Sequence, residues 1–188
     1  PEAGGDRRGT AHPDRPMNLV ATAIVGAMVV AVATATAALL VPRPARSAVV
    51  GAGTALCGAA GMAAGIAALA GQGWTAALAG LLPLAGVVLT VDTLSGVFLS
   101  LIGAVGIAVG IYGIGYARHG LDGRGVQAME PLFVAAMLLV PAAGSVGTFL
   151  VCWELMALTS LLLVLAEHSH RAEVASAARW YAVMTHLG

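Results

Sequence analysis

The run Gly147–Glu167 holds one internal charge, Glu154, in an otherwise apolar or small-residue stretch. At about 1.5 Å per residue such a run spans the roughly 30 Å hydrocarbon core of a bilayer. A carboxylate partway down a spanning helix costs about 2.5–3.5 kcal/mol on insertion scales, and such residues mark proton or ion pathways. The chemistry open to Glu154 is proton binding. A carboxyl alone in low dielectric stays neutral, and one beside a cation ionises. Alternation between those conditions takes up and releases a proton. The competing reading is a neutral Glu hydrogen-bonded to a neighbouring helix.

Few other residues could join it. His186 is the only other ionisable group inside a hydrophobic pattern apart from Asp92 at a helix start, and imidazole can relay protons near neutral pH. Asp92 is weighed as a proton carrier and, more simply, as a helix cap that accepts free backbone N–H bonds. Thr159, Ser160 and Thr185 could bond water, although hydroxyls in membrane helices commonly bond back to their own backbone. Trp153 points about 100° away from Glu154 on a helix, toward packing or lipid. His168, His170 and Arg171 read as a solvated loop, since a metal site needs more ligands. Cys57 and Cys152 lie in apolar runs without metal-ligand spacing and read as small packing residues. No metal, cofactor or nucleotide site is expected in this chain.

Those side chains need a membrane bundle to hold them. Of 188 residues, 59% are hydrophobic and only 10% charged, and mean hydropathy is +0.91. A soluble domain carries about 25% charged residues. The expected class is all-α, a polytopic transmembrane helix bundle of about six spans, truncated. Zero net charge gives no indication of nucleic acid. The nine basic residues are all Arg.

Residues 1–16 form a polar tail, expected to be disordered. Residues 17–188 form the transmembrane domain, and Met17 stands as a candidate natural start directly before the first apolar run. The spans are read as Asn18–Val41, Ser47–Ala70, Asp92–Tyr116, Met129–Gly144, Gly147–Glu167 and a sixth from near Glu173 that is cut off at Gly188. Pro42 and Pro44 end the first. Gly71–Thr90 is too punctuated by Gly and Pro83 to span and reads as an interfacial connector, with a short extended piece over Leu84–Val91. Small-residue motifs, Gly61-x-x-x-Gly65 and Gly106-x-x-x-Gly110, favour close helix contact. Arg118–Glu130 reads as a polar loop. The chain begins at Pro1 and stops inside an apolar helical pattern, so it is expected to be an N-terminal part of a larger subunit.

Arg43 and Arg46, Arg118 and Arg124, and Arg171 fall in alternate loops. The positive-inside rule puts those loops in the cytoplasm and the N-terminus outside, in the plasma membrane. Arg7, Arg8 and Arg15 disagree with this orientation unless Met17 is the start.

Four segments carry a family resemblance: Asp92-Thr-Leu-Ser-Gly-Val-Phe-Leu, Ile111-Tyr-Gly-Ile-Gly-Tyr116, Phe149-Leu-Val-Cys-Trp-Glu-Leu-Met156 and Ala178-Arg-Trp-Tyr-Ala-Val-Met-Thr-His-Leu-Gly188. Across Leu82–Gly188 the chain resembles the antiporter-like membrane subunits of respiratory complex I, of membrane-bound hydrogenases such as formate hydrogenlyase and hydrogenase-4 (component B type), and of multisubunit cation/proton antiporters (their D-type component). The Leu-Ser after Asp92, Met156 and the Met-Thr-His-Leu-Gly ending look most like the hydrogenase branch. The resemblance implies that Glu154 is the family's key glutamate, which pairs with a lysine on a seventh span beside a broken helix. It also implies an outward N-terminus, and as partners other membrane and peripheral subunits of a hydrogenase or complex I-like assembly. This chain stops before the seventh span, so the fragment alone is not expected to translocate protons. Three functions follow: a proton-translocating subunit of a redox-driven complex, with electron chemistry in partner subunits; a subunit of a cation/proton antiporter; or a non-conducting structural module.

Overall fold

The computed structural model describes residues 18–78, 86–116 and 123–166, together with residues 180, 183 and 184. Five helices and one hairpin follow in order: α1 (Leu19–Leu40), α2 (Arg43–Leu69), β1 (Trp74–Leu78), β2 (Val87–Val91), α3 (Thr93–Tyr116), α4 (Arg124–Leu139) and α5 (Val146–Ala166). Four of them, α1, α2, α3 and α5, are long and apolar enough to cross a membrane. The 16-residue α4 lies among them as a shorter, buried element. The described residues thus show a mostly helical protein with four candidate spans; the sixth span read from Glu173 lies outside them except for residues 180, 183 and 184.

Helix ends follow local chemistry. The Asn18 side chain accepts the Val20 N–H at 3.0 Å, and its amide donates to Gly73 O at 2.9 Å, tying the start of α1 to the hairpin. Pro44 occupies the first turn of α2, where a missing N–H costs nothing, so the helix starts at Arg43 rather than at Ser47. Arg46 is buried and its Nε donates to Val41 O at 3.1 Å, satisfying a carbonyl that the α1 end leaves over.

Packing is carried by small residues. On α1 the buried positions Val20, Ile24, Ala27, Ala31, Thr34 and Ala38 alternate at steps of four and three. Large residues such as Val25, Val29, Val32 and Leu40 point outward. That inversion suits a bilayer, where lipid is as apolar as leucine and close approach, not hydrophobicity, holds helices together.

The closest contact joins α2 and α3. Gly51, Gly58 and Gly65 recur every seven residues on α2, and Gly96, Gly103 and Gly110 do so on α3. They meet antiparallel as Gly51 with Gly110, Gly58 with Gly103 and Gly65 with Gly96. A Cβ on Gly58 would sit 2.7 Å from Gly103 O. The backbones therefore touch, as a seven-residue repeat of small residues permits. The two GxxxG motifs are divided between partners: Gly65 and Gly110 face the α2–α3 seam, whereas Gly61 meets Leu138 and Gly106 meets Val134, both on α4.

The punctuated connector is an antiparallel hairpin, with Trp74 opposite Val91 and Leu78 opposite Val87. It is pinned to the α4–α5 turn: Thr90 N–H donates to Ala142 O and Gly144 N–H to Val88 O, both at 2.8 Å. The buried Thr148 hydroxyl accepts the Val88 N–H at 2.9 Å. The start of α1, the hairpin and the α4–α5 turn therefore share one end of the bundle. Arg43, Arg46 and Arg124, the basic residues among those described, belong to the opposite end.

The fourth span shifts. The sequence pattern places it at Met129–Gly144 after a loop, but α4 begins at Arg124 and ends at Leu139. Gln127, Pro131, Val134 and Leu138 form a buried four-three-four stripe. Tertiary burial extends the helix through residues that look polar enough to be loop, and Glu130 is thereby helical.

Candidate functional site

Glu154 sits on α5, eight residues after Val146, so about 12 Å below the hairpin end. The start of α5 is fixed by Ser145, whose Oγ accepts the Thr148 N–H at 3.2 Å and lies 2.8 Å from the Thr148 hydroxyl. The neighbours of Glu154 one turn away on its own helix are Leu150, Val151, Ala157 and Leu158. The residue lies on the exposed side of α5, whereas Cys152, Ala157 and Thr159 are buried. Thr159 and Ser160 donate back to carbonyls of their own helix, Thr159 to Leu155 at 2.9 Å and Ser160 to Ala157 at 2.9 Å. Thr159 in this way bonds back to its own helix, as hydroxyls in apolar helices commonly do.

Trp153 stacks on Phe149 with ring centroids 5.8 Å apart. Both rings line a cavity of about 300 Å³ whose other walls include Phe98 and Ile102 of α3, Met137 of α4 and Pro141 of the α4–α5 turn. The cavity wall is apolar and bears no group suited to a proton.

Asp92 lies at the N-terminus of α3, at the hairpin end, and accepts the Ser95 N–H at 2.8 Å. That bond, with further backbone and Ser95 hydroxyl contacts, holds its carboxyl below the ordinary aspartate range. It acts as a cap, at a different depth from Glu154, and the two do not form one site. His186, His168, His170, Arg171 and Thr185 lie outside the described residues. Among the described residues no three His, Cys, Asp or Glu side chains gather as a metal site. Cys57 and Cys152 are buried free thiols.

One carboxyl escaped the reading of the sequence. Glu130 on α4 reaches inward toward Thr54 of α2 and Gly113 of α3. The available signal was Gln127, Glu130 and Val134 at helical spacing, which puts the two polar residues on the face of an apolar stripe.

The helices and their inverted packing fit a membrane-helix bundle, and α5 carries a carboxyl eight residues from its start. No protein-family profile matches the chain. An uncharacterized protein of Mycobacterium tuberculosis is 55% identical over 131 residues, which is 70% of this chain and 20% of that protein. NADH-quinone oxidoreductase subunit L of Mycobacterium tuberculosis is 36% identical over 100 residues, 53% of this chain and 16% of that subunit. F(420)H(2) dehydrogenase subunit L of Methanosarcina mazei is 34% identical over 74 residues, 39% of this chain and 11% of that subunit. The chain thus spans at most 20% of the length of these relatives. The similarity supports the complex I-like, antiporter-type group of membrane subunits.

Proposed function

We propose that this chain is the N-terminal part of a proton-translocating membrane subunit in a redox-driven complex, such as an NADH:quinone oxidoreductase or a membrane-bound hydrogenase. The observation that carries the proposal is Glu154, a carboxylate about 12 Å into an apolar helix on the face left open by the described bundle. That face is where helices of the longer protein would approach. The resemblance supplies the expected counterpart there, a lysine on a later broken span, with His186 as a candidate relay. Redox chemistry belongs to partner subunits in this reading. Two relatives bear names of oxidoreductase subunits, which favours a redox drive over the cation/proton antiporter reading. The Arg-bearing end faces the cytoplasm and Asn18 faces outside, in a multi-pass plasma-membrane subunit.

The test is Glu154→Gln in the full-length subunit within its complex, in proteoliposomes carrying a pH-sensitive dye. Electron transfer with wild-type protein acidifies or alkalises the lumen, and the variant assembles but loses that signal. A sodium gradient in place of electron donor drives the signal only if the antiporter reading holds. Unchanged pumping in Glu154→Gln overturns the assignment and leaves the structural-module reading.

A further inference from the structure

Glu130 offers a second site, distinct from Glu154. It lies six residues into α4, about 9 Å from the Arg124 end. Its carboxyl enters the seam of three helices. On α3 the space comes from Gly113, where a Cβ would lie 3.3 Å from Glu130 Oε1. On α2 the facing group is Thr54, which is 0% exposed. Gln127, one turn back on α4, is 3% exposed.

Three oxygens here, Thr54 Oγ1, Gln127 Oε1 and Glu130 Oε1, are buried and make no hydrogen bond of good geometry, although the Thr54 hydroxyl lies against the Glu130 carboxyl. Buried polar atoms in folded proteins are nearly always partnered, so three exceptions on adjoining positions call for a missing donor. The inventory identifies it. The amide oxygen and an ionised carboxylate oxygen only accept, and Thr54 brings the one hydroxyl hydrogen among the three. An ionised Glu130 would also place an unpaired charge in an apolar seam, which proteins avoid by neutralising the group. A proton on the carboxyl supplies the second donor.

The charged and titratable side chains on the surrounding elements are Arg43, Arg46 and Cys57 on α2, Tyr112 and Tyr116 on α3, Arg124 on α4, and Cys152 and Glu154 on α5; α1 has none. None of them partners Glu130 Oε1. Thr54 does not take the usual back-bond that Thr159 takes, so its hydroxyl remains available to the carboxyl.

We propose that Glu130 holds an exchangeable proton in a buried polar site closed by Thr54 and Gln127, open to exchange from the Arg-bearing end of the bundle. It is a proton-binding site additional to Glu154 and does not depend on Glu154 driving translocation. The shallow depth of Glu130 on α4 gives a proton a first stop on the route inward from that end.

Infrared difference spectroscopy on the full-length protein in nanodiscs reads this directly. The wild type should show a protonated-carboxyl C=O stretch that shifts when the membrane is exchanged into D₂O. Glu130→Gln should remove that component, and Glu154→Gln should leave it in place. Thr54→Val should keep the band but move its frequency, because the carboxyl loses its hydroxyl neighbour. A carboxyl band identical in wild type and Glu130→Gln overturns the proposal. If Glu130→Gln does not fold, the Thr54→Val spectrum decides alone: a moved band supports the site, and an unmoved band refutes it.

Discussion

Replacing Gly103 by Ala tests the glycine seam. The added methyl would lie 2.5 Å from Gly58 O, with Met62 N of the same α2 turn also too close. Both obstacles are backbone, so no side chain can swing away. Ordinary contact begins near 3.4 Å, and α2 and α3 must separate by about 1 Å to restore it. A gap of that size forfeits about a quarter to a half of each dispersion contact nearby. Overpacking of this kind costs about 1–3 kcal/mol. Gly26→Ala on α1 is the matched control, because nothing lies within 4 Å of its Cβ. Its expected effect is within about 0.5 kcal/mol. Steric-trap unfolding of the full-length protein in bicelles should therefore show Gly103→Ala unfolding about 10-fold more readily than Gly26→Ala, since about 1.4 kcal/mol is tenfold. Gly58→Ala should behave like Gly103→Ala. The double variant should cost less than the two combined, because one separation relieves both clashes. Equal stability of Gly103→Ala and Gly26→Ala would refute the backbone-contact account of the seam.

Three further outcomes follow from the ends of the bundle. Thr148→Val keeps the shape but removes the acceptor for Val88 N–H, so hydrogen exchange at Val88 should accelerate and stability fall by about 1–3 kcal/mol. Asp92→Ala should fray the first turn of α3, while Asp92→Asn should retain the cap. Because the Asp92 carboxyl is held low when folded, its contribution is present above the ordinary aspartate range and is lost as pH falls through the lower folded value, which exchange at Ser95 would report. For orientation, Gly125→Cys should react with an impermeant maleimide only from the cytoplasmic side and Ala77→Cys only from outside. The native thiols are buried and should stay silent. The reverse pattern would invert the topology.

The class of fold was legible because span length and hydropathy report directly on the bilayer. Spans one, three and five match α1, α3 and α5 within a residue or two. The hairpin was only half legible. Leu84–Val91 carries β-branched residues, but the partner strand Trp74–Leu78 is set by pairing with β2, which is itself held by hydrogen bonds to a distant turn that local pattern does not encode. The glycine motifs signalled close packing, but the spacing of four drew attention away from the spacing of seven that the α2–α3 seam uses. Glu154 stood out because it is alone in its helix. Glu130 did not, because neighbouring polar residues made a loop the simpler reading, and only the placement of Thr54 and Gly113 reveals the seam it enters.

The central claim is that Glu154 is a protonation site of a redox-driven translocator. The most direct measurement is the number of protons moved per electron by the reconstituted complex, wild type against Glu154→Gln, with assembly checked on native gels. The account predicts an assembled complex whose ratio collapses in the variant and is partly restored in Glu154→Asp. A variant that assembles and keeps the wild-type ratio would contradict it.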